Sequence, residues 1–140
     1  MKTSLTIDTT VTAPIELVWE CWTQAKHITQ WNAASDDWHT PSATNDLRVG
    51  GRFTSRMESR DGQFGFDFWG IHDEVQVNRL IKSTMGDGRK MEVHFIQEGS
   101  LIKVIESFET EDENSAEKQR EGWQAILNRF KDYVETLLSH

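Results

Sequence analysis

The stretch from Asn114 to His140 constrains this chain more than any other, because it carries a single apolar stripe. Trp123, Ile126, Leu127, Phe130, Val134, Leu137 and Leu138 recur at the three-and-four spacing of one helical face, and Lys118, Glu121, Lys131, Asp132 and Glu135 take the other. A helix this one-sided has to lie on an apolar surface. Asn114 is placed to cap its first free N–H groups, with Glu117 three residues on to close a capping box. The surface beneath the helix must come from the preceding hundred residues, and those read mainly as strands.

Leu5, Ile7, Thr9 and Val11 alternate with polar partners, which predicts a strand at about residues 3–11. Pro14 ends it and suits the first turn of a helix carrying Ile15, Val18, Trp19 and Trp22 at i, i+3, i+4 and i+7. A second short helix, Ala25–Gln30, delivers Trp31. Residues 32–47 are broken by Asn32, Pro41 and Asn45 and read as a loop with one short strand near Trp38. Gly50-Gly51 opens a strand through Met57, and Asp61-Gly62 makes a hairpin turn into a long aromatic run from Gln63 to Val77. Three further strands follow: Leu80–Met85, one in which Met91, Val93 and Phe95 alternate with Glu92, His94 and Ile96, and Leu101–Glu109. The reading is an α+β fold of one domain, residues 1–140: a curved antiparallel sheet of six or seven strands wrapped around the long C-terminal helix, with two short helices after the first strand.

Composition narrows the function. A chain of 140 residues buries roughly two-thirds of the surface its unfolded form exposes, so one core suffices without metal or disulfide. The single Cys21 excludes an internal disulfide and any cysteine-rich zinc pattern, and it fits a reducing compartment. No signal-peptide or membrane-spanning run is present, so a soluble, cytoplasmic protein is expected. A net charge of −8, with acids dense over residues 106–121, repels phosphate backbones and anionic lipid heads, which argues against nucleic acid and membrane insertion. Six Trp and seven Phe need housing, in a full core or in the wall of a pocket.

With that element order, several local blocks resemble one family. Ala13-Pro14 followed by Val18-Trp19, Trp31, Trp38 with Pro41, and above all Asp46-Leu47-Arg48-Val49-Gly50-Gly51-Arg52-Phe53 carry the likeness, joined by Asp61-Gly62, Arg79-Leu80 and Gly122-Trp123. The chain resembles the helix-grip fold of the START-like, birch-pollen-allergen-like (SRPBCC) superfamily, in the bacterial branch related to the activator of the heat-shock-protein-90 ATPase. It departs at Gln76-Val77-Asn78, where the family often has a proline, and at Ser100-Leu101, where it often has a threonine. The resemblance implies a cavity between sheet and helix that binds small apolar molecules. Some relatives act on polyketides, and the chaperone link belongs to a larger eukaryotic protein of which this domain is a part.

The expected function is therefore binding of a small hydrophobic ligand in that cavity, walled by Trp31, Trp38, Phe53, Phe66, Trp69, Phe95, Trp123, Leu127 and Phe130. Trp19 and Trp22 read as core. Gly122, costly inside a helix by roughly 0.8–1 kcal/mol, calls for compensation, either close packing on the sheet or room for a ligand. An enzyme acting on an apolar, polyketide-like substrate is the alternative, with His94 and Glu106 on neighbouring strands as a weak acid–base couple. The competing reading puts Asp67, His72, His94, Glu106, Arg48 and Arg52 on an exposed, charge-alternating strand face. A co-chaperone-like module whose acidic surface meets a chaperone is the third possibility. The five histidines show no metal spacing, and no phosphate- or dinucleotide-binding motif occurs, so no metal and no cofactor is expected.

Overall fold

The computed structural model describes residues 3–139, so the expected helix terminus at His140 lies outside the described residues. The element order is β1 (Ser4–Val11), α1 (Ile15–Thr23), α2 (Ala25–Trp31), β2 (Trp38–Asn45), β3 (Arg52–Ser59), β4 (Gly65–Gln76), β5 (Leu80–Met85), β6 (Lys90–Glu98), β7 (Leu101–Glu109) and α3 (Ala116–Leu138). All seven strands form one antiparallel sheet in the order β1-β7-β6-β5-β4-β3-β2. The sheet curls into a half-barrel around α3, which is the expected helix-grip arrangement.

Strand β2 is longer than the sequence reading. Pro41 has no N–H to give a ladder, yet it is tolerated because β2 is an edge strand and the pairing with β3 slips between His39 and Ser42. The other edge, β1, is closed by α3. Arg120, Gln124 and Lys131 donate to the carbonyls of Thr6, Asp8 and Thr10 at 2.9, 3.1 and 2.8 Å, and the Thr12 N–H donates to Glu135 at 2.9 Å. The polar face of the helix thereby satisfies the free edge of the sheet while its apolar face enters the curl.

The start of α3 corrects the expected cap. Ser115 is the N-cap, its Oγ accepting from the Lys118 N–H at 3.1 Å. Asn114 is engaged elsewhere, donating from its backbone and its side chain to Glu111. Leu127, Phe130 and Val134 are the fully buried part of the stripe, whereas Leu137 and Leu138 are exposed because the helix has run past the sheet. Trp19, Trp22 and Phe95 pack edge-to-face, and Trp22 and Trp31 stack on one another and meet Phe130 edge-on, so α1 and α2 fill one end of the half-barrel. Gly122 is not a packing glycine: a Cβ there would meet nothing within 4 Å.

Candidate functional site

The space that α1 and α2 leave unfilled is a cavity of about 460 Å³ between the inner face of the sheet and the first half of α3. Its depth is set by parity along the strands. On β7 the residues Ile102, Val104, Glu106 and Phe108 point inward, and on β6 Met91, Val93 and Phe95 do so, while their odd- or even-numbered neighbours face out. From the helix, Trp123 and Ile126 close the cavity from above; the Trp123 ring stacks on Phe108 with centroids 4.0 Å apart and meets Phe68 edge-on. Trp22, Trp31, Phe53, Phe66 and Met57 complete an apolar wall, and Arg89, Glu111, Asn114 and Lys118 form a polar rim.

The inner face also carries polar side chains, and three of them, Asn45, His72 and Ser83, are tied into one chain of hydrogen bonds. His72 is 5 % exposed, and its backbone is held on both sides by the Gly50 N–H and the Gly51 carbonyl. Gly51 has to be glycine there, since a Cβ would strike the Asp46 carbonyl oxygen. The His72 Nε2–H donates to Asn45 Oδ1 at 2.7 Å, an orientation fixed because the Asn45 amide nitrogen donates to the Thr23 carbonyl at 2.7 Å. His72 Nδ1 is thus the acceptor for the Ser83 hydroxyl at 3.0 Å. Burial lowers the pKa of this imidazole, against the raising charges of Asp46 and Asp73, and Phe53 stacks on its face. The group is a neutral, fully engaged histidine rather than a free base.

Glu106 is the opposite case. It is 6 % exposed, borders the cavity and makes no hydrogen bond or ion pair with any described residue. Its carboxyl is not sealed in protein, because no enclosed side-chain polar atom among the described residues is left unpaired; it opens onto the cavity. Desolvation pushes its pKa up to about 8, so it is mostly protonated at neutral pH.

The expected wall residues separate into three groups. Trp31, Phe53, Phe66 and Trp123 line the cavity, with Phe66 half-exposed at its edge. Phe95, Leu127 and Phe130 are buried core, and the rings of α1 and α2 cover Phe95 and Phe130. Trp38 and Trp69 are off the wall. Trp38 leans on Phe66 at the β2 end, and Trp69 is on the outer face of β4 beneath the Arg52 guanidinium, 4.1 Å from its centroid. Trp22, read as core, is on the wall.

The acid–base couple is not assembled. His94 and Glu106 are on adjacent strands, but Glu106 pairs with Val93 and His94 with Ile105, so the histidine points outward to Glu92 at 3.2 Å while the carboxyl points inward. For the same reason His72 and Glu106 leave the exposed polar face on which the alternating-charge reading put them. Parity was the available signal: Glu106 shares its register with Ile102, Val104 and Phe108. Among the described residues there is no cluster of three or more metal-ligating side chains, and no helix is long and apolar enough to cross a membrane.

Comparison with known proteins agrees with this architecture. A solved structure of an AHSA1-like protein from Aeromonas hydrophila is 39% identical and superposes with a TM-score of 0.92 over 99% of this chain and 96% of that one. A protein from Cytophaga hutchinsonii is 47% identical with a TM-score of 0.83, covering 98% and 95% of the two chains. One from Chromobacterium violaceum shares the fold alone, at 17% identity and a TM-score of 0.85 over 95% and 98%. No protein of the curated set matches the sequence. The family model described as Activator of Hsp90 ATPase homolog 1-like protein matches residues 12–135, and the chain belongs to that family.

Proposed function

We propose that this protein binds a small hydrophobic molecule in the cavity between the sheet and α3. The observation that carries the reading is the cavity itself: about 460 Å³ with a mostly apolar lining of aromatic and aliphatic side chains, polar side chains set among them and a charged rim, which is the usual make-up of a small-molecule site. The aromatic wall is interior surface left uncovered by protein, and an apolar guest removes it from water at roughly 25 cal/mol per Å². The buried Cys21 and the absence of other cysteines support a cytoplasmic location.

The test uses the wall as its own reporter. Trp22, Trp31 and Trp123 border the cavity, so a bound ligand should shift tryptophan emission and raise the melting temperature. Fatty acids, sterols, flavonoids and polyketides form the first panel. Ser55 is buried on the inner face of β3, and Ser55→Phe should fill the space and abolish binding in a folded protein. If neither emission nor melting temperature responds to any panel member at saturation, the reading fails.

A further inference from the structure

Glu106 places a carboxyl with no partner among the described residues against an apolar, ring-walled cavity, and that arrangement specifies one part of the guest. Resting on the cavity reading above, we infer that the site takes a hydrophobic amine, whose ammonium group pairs with the Glu106 carboxylate while its apolar body lies against the rings. The other titratable groups on the wall leave this role open. His72 has both ring nitrogens engaged, with Asn45 and Ser83. Arg89 is turned to Asp87 at 2.7 Å and to the Glu109 carbonyl at 3.3 Å, and Glu111 accepts from Asn114 at 2.8 Å. Lys118 is exposed at the rim and forms no ion pair with Glu106. Among the described residues no cation therefore reaches this acid.

A buried carboxylate needs a counter-charge and donors, and a ligand ammonium supplies both in one group. The rings of Trp22, Trp31, Phe68 and Trp123 line the same cavity, and a desolvated cation gains further where it meets an aromatic face. The net charge of −8 draws cations toward the molecule and repels carboxylate amphiphiles. The exchange balances in protons: the free protein holds Glu106 as the acid, the amine arrives protonated, and formation of the carboxylate–ammonium pair releases one proton to solvent. With the carboxyl at about 8, occupancy of the carboxylate rises about 25-fold between pH 6.5 and 8.5, and amine affinity should follow it.

Three probes of one skeleton separate the possibilities: 4-phenylbutylamine, 4-phenylbutanol and 4-phenylbutanoate, titrated calorimetrically at pH 7 in two buffers of different ionisation enthalpy. The amine should bind at least tenfold tighter than the alcohol, release close to one proton, and tighten with pH as above. Glu106→Gln should remove the proton release and bring the amine to an affinity no higher than that of the alcohol in the same variant. An amine no tighter than the alcohol, a carboxylate that binds best, or an amine preference kept by Glu106→Gln overturns the inference and leaves the cavity reading standing. If none of the three binds, the inference falls, and the ligand panel with Ser55→Phe decides the cavity reading separately.

Discussion

Glu106→Gln should stabilise the protein at alkaline pH, by an amount that follows from where the carboxyl sits. Unfolded, this side chain titrates near 4.5; folded, desolvation holds it at about 8. The folded state thus binds the proton more tightly, so its advantage is complete below 4.5 and is lost as pH rises through 8. Between pH 5.5 and 8.5 the two titration curves differ by roughly 3 kcal/mol, from 1.36 kcal/mol per unit. Glutamine keeps the volume and the hydrogen-bonding character of the protonated acid but cannot ionise. The variant should therefore match the parent closely at pH 5.5 and exceed it by roughly 3 kcal/mol at pH 8.5, on the order of 10 °C in melting temperature. His72 acts in the opposite sense, since its lowered pKa makes stability rise with pH up to its unfolded value of 6.5. It is present in both proteins, so the difference between them isolates Glu106. Urea denaturation at the two pH values and constant ionic strength measures it. A stability difference independent of pH would mean that Glu106 ionises freely, and that its carboxyl is hydrated rather than facing a dry cavity.

Gly122→Ala should stabilise by roughly 0.8–1 kcal/mol, because a Cβ there meets open space and helix propensity alone decides. Gly70→Ala should cost roughly 1–3 kcal/mol, since its Cβ would come within 2.7 Å of Phe53 Cε2 and the Thr84 carbonyl oxygen; chemical denaturation compares the two. Trp123→Ala should cost roughly 2 kcal/mol, below the 3–5 kcal/mol of a fully packed ring, and should enlarge the cavity and change ligand selectivity. A loss in the full core range with unaltered affinity would remove Trp123 from the site. Cys21, unexposed and with its thiol pushed up to about 11, should react with a disulfide reagent only at the rate of unfolding; prompt labelling of the native protein would contradict its burial.

Much of the architecture was legible because its signals are local. The stripe from Trp123 to Val134 has helical period, the strands have period two, and turn residues such as Asn78, at φ 66°, mark their joins. Side-chain parity on β7 was equally local, and it already aligned Glu106 with Val104 and Phe108. Tertiary structure decided whatever depends on pairing over long range. β2 extends through Pro41 only because β3 pairs with it from one side, and Ser115 displaces Asn114 as the cap because Glu111 occupies Asn114. The division of the aromatics is of the same kind. Phe130 and Trp123 are seven residues apart on one helical face, yet Phe130 is sealed by Trp22 and Trp31 while Trp123, stacked on Phe108, borders the cavity. Periodicity reports which face of an element is apolar, but whether that face meets protein or a void depends on how far α1 and α2 reach into the curl of the sheet, and no single segment encodes that distance.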